Sequence, residues 1–404
     1  MSLSPVRPAA RQSILTQQRR LKMARSAHAY VRGNTVQFYE WLDSVNAASL
    51  LPVGPSIWIC GDCHIGNLGP LASANGEIEI QIRDLDQTVI GNPAHDIIRL
   101  SLSLAMAARS SDLPGVTTAL MIEQVIIGYQ HALLQRTAKV TEKDVNPVHL
   151  VMRQAITRGW RQLATERIQD ATPHIPLGRR FWQLSKEERR EIDDLFQHGD
   201  VRTLATCLKA RGNDDKVRLL DAAYWMKGCS SLGRLRYAVL ARVGKRRTRD
   251  LCLIDVKEAT APAAPRDPKS SMPRNNAERV VAGARALSPF LGERMLAASL
   301  LGRPVVLREL MPQDLKFELE GLTQAEAIAA AYLFAGVVGK AHARQMDLKT
   351  RKSWAAKLTS NTNARSKTLC APSWLWSSVV ELAASHEAAY LHHCRQYALD
   401  RTSA

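Results

Sequence analysis

No run of about 18 uninterrupted apolar residues occurs in this chain, so the sequence offers no membrane-spanning helix. The segment Met1 to Arg25 is basic but lacks the apolar stretch that drives secretion, and the expected location is therefore the cytoplasm. Cysteine is sparse. Seven in 404 residues, irregularly spaced, exclude a disulfide framework and fit a reducing compartment. Acidic residues are also short, 38 against 55 Lys and Arg, which leaves a formal charge of +17. That excess draws anionic partners such as nucleotides. It forms no single basic stripe, so nucleic acid is the weaker reading of the charge. No internal repeat of about 20–50 residues is present, which sets aside solenoids and propellers. What is present, 46% hydrophobic and 23% charged residues, suffices for a globular protein of two lobes with a core in each.

Residues 1–50 read as helical, with Ile14, Leu21, Met23, Val36, Phe38, Tyr39, Trp41 and Leu42 among basic and polar positions. Two strands follow: Ile57-Trp58-Ile59-Cys60, then the period-two run Glu77-Ile78-Glu79-Ile80-Gln81-Ile82, with Asp- and Gly-rich turns between and after them. From Asp96 to about Asp221 the pattern is helical; Ile97, Leu100, Leu104 and Ala108 share one face. Tyr237 to Leu240 and Leu251 to Val256 predict a hairpin, and the basic run Gly244-Lys245-Arg246-Arg247 reads as its solvated tip. A Pro/Ala linker spans 261–273 and a helix starts near Asn276. A strand pair is expected over Met295 to Leu310 with its turn at Gly302-Arg303-Pro304. A helix is expected over Thr323 to Ala343, where Thr323 and Glu326 form a capping box. After Lys349 a loop and then a helix are expected.

The segment richest in chemistry is Cys60-Gly61-Asp62-Cys63-His64-Ile65-Gly66-Asn67, polar where a core would be apolar. Arg83-Asp84-Leu85-Asp86 follows the next strand, and Gly91-Asn92-Pro93-Ala94-His95-Asp96 opens a helix. Phosphoryl transfer needs a carboxylate near the accepting hydroxyl and oxygen ligands for magnesium, and this set contains both.

The run resembles the catalytic loop of aminoglycoside-phosphotransferase-like and choline-kinase-like enzymes, whose pattern is H-G-D-x-H-x-x-N, then I-D-W/F, then D-P-x-x-D. The resemblance implies Asp62 as catalytic base, Asn67 and Asp84 as magnesium ligands, and Asp96 as the tether of the loop. Asp86 is either a second metal contact or a turn residue. Two departures stand out: Cys60 replaces the loop-orienting His, and Asp86 stands where protein kinases commonly have Gly.

Nucleotide-lobe signals are absent upstream and occur downstream. Gly228-Cys229-Ser230-Ser231-Leu232-Gly233 precedes a strand, and its backbone N–H groups suit phosphate oxygens, with Gly228, Ser230, Ser231 and Gly233 as the loop's candidates. Lys257 in Ile254-Asp255-Val256-Lys257 resembles the lysine that holds the α- and β-phosphates. Glu278 would pair with it. Val305 to Met311 resembles the strand and hinge that hold adenine by backbone hydrogen bonds, with Glu309 and Met311 at the hinge. Gly339-Lys340-Ala341-His342 resembles the end of the helix that precedes the catalytic loop. The resemblance therefore implies a bilobal α+β protein-kinase-like fold, circularly permuted, with an enlarged helical lobe. Residues 1–220 would form the catalytic-loop and helical lobe, 221–318 the nucleotide-binding lobe, and 319–404 helices returning to the first. In this arrangement the chain is similar to the bacterial family known as domain of unknown function 2252. ATP and magnesium are the implied cofactors, and an unidentified small-molecule hydroxyl or a protein the acceptor.

Other readings compete. Cys60-x-x-Cys63-His64 matches a haem-attachment motif, which requires export, and a zinc site would need a second ligand pair. Gly61-Asp62-x-His64 matches the opening of calcineurin-like metallophosphoesterases, but no later Gly-Asn-His follows. Gly228-x-x-x-x-Gly233 with Arg234 imitates a P-loop, with Arg in place of Lys and a strand in place of the helix. A catalytically silent pseudokinase or binding module is the remaining alternative.

Overall fold

The structure, a computed structural model, describes residues 6, 8–44, 50–136, 146–158, 160–168, 174–208, 211–212, 215–229, 232–244, 251–315, 322–359 and 371–402. Three helices open it: α1 (Arg11–Met23), α2 (Ala27–Gly33) and α3 (Thr35–Leu42). Ser26 and Asn34 cap the second and third, their side-chain oxygens accepting the N–H groups of Ala29 and Gln37. Strand β1 (Ile57–Ile59) pairs antiparallel with β4 (Val89–Gly91), and the chain between them forms a second ribbon, β2 (Leu68–Ala72) with β3 (Ile78–Ile82). Strand β2 was not legible in advance; Gly69 and Pro70 interrupt its apolar run. The polar loop 60–67 is thus held at both ends by strands.

Helix α4 (Ala94–Ser110) is buried on nearly every face, and α5 (Gly115–Leu133), α6 (Asn146–Thr157) and α7 (Trp160–Ile168) follow. The chain then builds one six-stranded antiparallel sheet. Its strands are β5 (Phe181–Trp182), β6 (Val217–Trp225), β7 (Arg236–Val243), β8 (Leu251–Glu258), β9 (Met295–Leu300) and β10 (Arg303–Leu310), in the order β5-β6-β7-β8-β10-β9. Helices α8 (Lys186–Leu195) and α9 (Gly199–Thr206) intervene between β5 and β6; α10 (Asn276–Leu287) and the short α11 (Pro289–Gly292) come between β8 and β9. The expected boundary at 220/221 falls inside β6, and Trp182, Ile192 and Leu204 already share the sheet's core. The turn of the last hairpin is Leu301–Gly302, both in the left-handed region, with Arg303 and Pro304 already in the strand.

Period-two alternation gives the sheet two unlike faces. Tyr237, Val239, Ala241, Ile254 and Val256 face α1, α8 and α9, whereas Ala238, Leu240 and Leu253 face the other way. Arg236, Asp255 and Lys257 occupy the same parity as that second set, and this places charged groups at one end of an otherwise apolar face.

Helix α12 (Gln324–Ala343) begins with the capping box read from Thr323 and Glu326 and packs along α5. Small residues allow the close approach. A Cβ on Gly128 would fall 2.2 Å from the Tyr332 carbonyl oxygen, so Gly128→Ala forces these helices apart. We expect a loss of about 2–3 kcal/mol in urea denaturation; an unchanged midpoint would disprove the tight contact. Helices α13 (Leu348–Thr359) and α14 (Ser373–Thr402) complete the chain; α13 occupies the stretch expected as loop. Among the described residues no helix is long and apolar enough to cross a membrane. The architecture is α+β.

Candidate functional site

The loop between β1 and β2 is built around Gly61, whose φ of +75° suits glycine and whose Cβ position lies 2.1 Å from the Gln87 carbonyl oxygen. Asp96, in the first turn of α4, accepts hydrogen bonds from the N–H groups of Cys60 (2.7 Å) and Gly61 (3.0 Å). His342 at the end of α12 lies 3.1 Å from the same carboxylate through Nε2, while its Nδ1 meets the Tyr129 hydroxyl at 2.8 Å. The Trp354 indole N–H donates to that hydroxyl at 3.1 Å. This fully buried chain runs from Trp354 through Tyr129 and His342 to Asp96, each group donating to the next, and ends on the loop backbone. Cys60 is buried with its thiol near the Asp84 carbonyl. Its hydrogen bond with Cys63 and its burial push its pKa well up, so it stays a neutral thiol.

Asp62 lies one residue further on, 8% exposed, where a buried arginine meets it: Arg99 Nε donates to Oδ1 at 2.9 Å. The other end of Arg99 donates to the Val31 carbonyl at 2.7 Å, and Tyr39 donates its hydroxyl to the Gly61 carbonyl at 2.7 Å. The N-terminal helices therefore brace the loop. Asn67 donates from Nδ2 to the Asp62 carbonyl at 3.0 Å, which leaves its amide oxygen as the group available to a cation. Burial raises the pKa of Asp62, with Arg99 opposing.

Across the cleft, Lys257 on β8 forms ion pairs with Asp86 and, at 3.5 Å, with Asp84. Desolvation pushes Asp84 up, but Lys257 and Arg236 outweigh it and hold the carboxylate well below the usual range. Asp255, two residues before Lys257 and on the same face, takes Arg236 in a two-pronged pair and Lys227 at 3.5 Å. Asp314 likewise gathers Arg294 and Arg308. Asp62, Asn67 and Asp84 line one cavity of about 460 Å³, together with Gly228, Asp255 and Met311.

Other candidates are not brought together. Glu278 is exposed on the first turn of α10 and has no ion pair among the described residues. The buried neighbour Arg279 instead bonds the carbonyls of Thr88, Asp86 and Thr260. Glu309 lies on the sheet face opposite the cleft, bound by Arg211 at 2.8 and 2.9 Å, while its carbonyl accepts Arg294. Met311 reaches the cavity, but its N–H and C=O are engaged with Asp314 in a turn. Gly228 lines the cavity with φ +93°, Gly233 packs beside Gln12, and Ser230 and Ser231 lie outside the described residues. Sequence reasoning passed over Arg99, Arg236 and Asp255. The available signal was a charge at an inward position of an apolar helix or strand.

Chemically, this is a cleft with an arginine-held carboxylate, an amide–carboxylate pair of hard oxygen donors, and a partly buried lysine facing them, walled largely by cations. The family model described as an uncharacterized protein conserved in bacteria, DUF2252, matches residues 11–396, and the chain belongs to that family. No curated protein and no solved structure matches the chain.

Proposed function

We propose that the protein is an ATP- and magnesium-dependent phosphotransferase of protein-kinase-like build, with its two lobes in swapped order along the chain. The observation that carries this reading is the pairing of Lys257 with Asp84 and Asp86 beside Asp62 and Asn67, from segments far apart in sequence. Magnesium fits the donors: the Asp84 carboxylate and the Asn67 amide oxygen are hard ligands, few enough to leave positions for phosphate oxygens and water. Bound there, the metal would offset negative charge on the phosphates. Lys257 would exchange its carboxylate partners for phosphate oxygens, and Gly228 would bring backbone against them. The Asp62 Oδ2 side takes the proton of the acceptor hydroxyl. The hydroxyl oxygen bonds to the γ-phosphorus, the bond from that phosphorus to the bridging oxygen breaks, and ADP leaves. The acceptor is a small-molecule hydroxyl or a protein side chain.

A dimetal phosphoesterase would need its His and Asp ligands gathered, and no three His, Cys, Asp or Glu side chains form a metal-holding group among the described residues. The test is thermal. ATP with magnesium or manganese should raise the unfolding midpoint by roughly 3 °C or more at saturation, and ATP alone should not. Asp84→Asn should remove the metal-dependent part. An equal rise without divalent metal would mean only anion binding by a chain of charge +17, and the reading would fall.

A further inference from the structure

One wall of the cavity comes from outside the sheet and the loop from Cys60 to Asn67: α1, α2 and the turn between them. Lys22 donates to the Gly228 carbonyl at 2.7 Å, the Cβ position of Gly33 lies 3.2 Å from the Cys229 sulfur, and that of Gly66 lies 2.8 Å from the Arg32 guanidinium. This wall therefore spans from the glycine turn to the catalytic loop. Seven basic side chains line the cavity. Four are committed: Lys227 and Arg236 to Asp255, Arg308 to the Asp314 carboxylate, and Arg83 to the Asp314 carbonyl. Lys22, Arg25 and Arg32 have no carboxylate within ion-pair distance among the described residues. Three like charges facing one space repel one another until an anion enters.

His64 is a second, independent sign. It is 4% exposed, lines the cavity, and its buried Nδ1 has no partner among the described residues. That ring nitrogen is left unpaired and can take a ligand's polar atom. The three cations come from α1, α2 and the turn between them, whereas Lys227 and Arg236, at the end of the sheet, are held by Asp255. Arg32 also adjoins Val31, whose carbonyl holds the arginine that holds Asp62. That is the acceptor's side. Aminoglycosides and choline are cations, and such a wall repels them.

Resting on the phosphotransferase reading, we propose that the acceptor is a small alcohol bearing its own phosphate group. Arg25, Arg32 and Lys22 bind that phosphate with His64 beside it, while its hydroxyl faces Asp62. Three cations suit a dianion better than a single carboxylate, and they share one cavity with Asp62.

The experiment titrates inorganic phosphate calorimetrically into protein saturated with magnesium and a non-hydrolysable ATP analogue. One phosphate per chain is expected to bind. Arg32→Gln, and separately the exposed Arg25→Ala, should each weaken it about tenfold while analogue affinity changes less than about threefold. Arg25 lies at the surface, so its replacement tests the site even if Arg32→Gln folds poorly. Phosphate binding indifferent to both changes is an adventitious ion only and overturns the proposal. Loss of analogue affinity with phosphate unaffected also overturns it, by assigning the cations to the nucleotide. Arg32-dependent phosphate binding in a protein that takes no magnesium–analogue complex supports the anion site and overturns the phosphotransferase reading.

Discussion

Asp62→Asn is expected to lower turnover by about 10² to 10⁴ while leaving magnesium–ATP affinity nearly intact, the worth of a positioned acid–base group. Asn keeps an oxygen for Arg99 but cannot take the acceptor's proton. The buried Arg99 also loses its counter-charge, so the variant should lose about 1–3 kcal/mol of stability and affinity should be compared well below its midpoint. As a base, Asp62 would act in its deprotonated form. Because burial raises this group, the acidic limb of the rate profile should be shifted upward from that of an ordinary aspartate, with activity rising as pH increases through it. Slow ATP hydrolysis or autophosphorylation serves as readout while the acceptor is unidentified. Two tightly bound transition-metal ions per chain, both lost in the variant, would instead make Asp62 and His64 metal ligands and end the kinase assignment. A wild type without turnover but with metal-dependent nucleotide binding would make it a pseudokinase.

Replacing Asp96 by Ala should be the most damaging change to stability. Its carboxylate is fully buried and satisfies the N–H groups of Cys60 and Gly61 as well as His342. Alanine leaves all three donors buried without acceptors, at a cost of about 3–5 kcal/mol. The variant should also lose the magnesium-dependent thermal shift, because the loop that carries Asp62 and Asn67 is no longer held. Asp96→Asn keeps one acceptor oxygen and should fall between. Urea denaturation measures the first effect. A change below about 1 kcal/mol for Ala would mean that the loop keeps its shape by its strand ends alone.

How far the sequence could be read depends on the range of the interaction concerned. Thr323 and Glu326 announced their helix because a capping box is a matter of three residues. The hairpin through Tyr237 and Leu253 was legible because alternation is local. The loop from Cys60 to Asn67 was recognisable by its spacing, since backbone geometry ties those residues to one another. Glu278 was a different kind of inference. Choosing it over Arg279 required knowing which way α10 is rotated, and one position along a helix turns a side chain by about 100°. Glu309 poses the same question in a strand, where its side chain points away and its neighbour Arg308 holds the cleft-facing parity. Arg99, Arg236 and the wall of Lys22, Arg25 and Arg32 become meaningful only when distant segments meet, and no local pattern reports that.

The relay from Trp354 to the loop from Cys60 to Asn67 also fixes when the site can come into being. Asp96 waits for His342, which is separated from it by 246 positions, and His342 is itself set by Tyr129 and, through it, by Trp354. A ribosome emits the loop early and its last support late, so throughout most of synthesis the buried N–H groups of Cys60 and Gly61 lack their full clamp. The sheet can form in the interval, since its strands are complete by Leu310. The emerging chain is thus assembled around a closing contact of very high sequence separation, the slow kind. The geometry around Asp62 is therefore set only once α12 has emerged, and a fragment ending before α12 would lack the His342 contact that holds the loop.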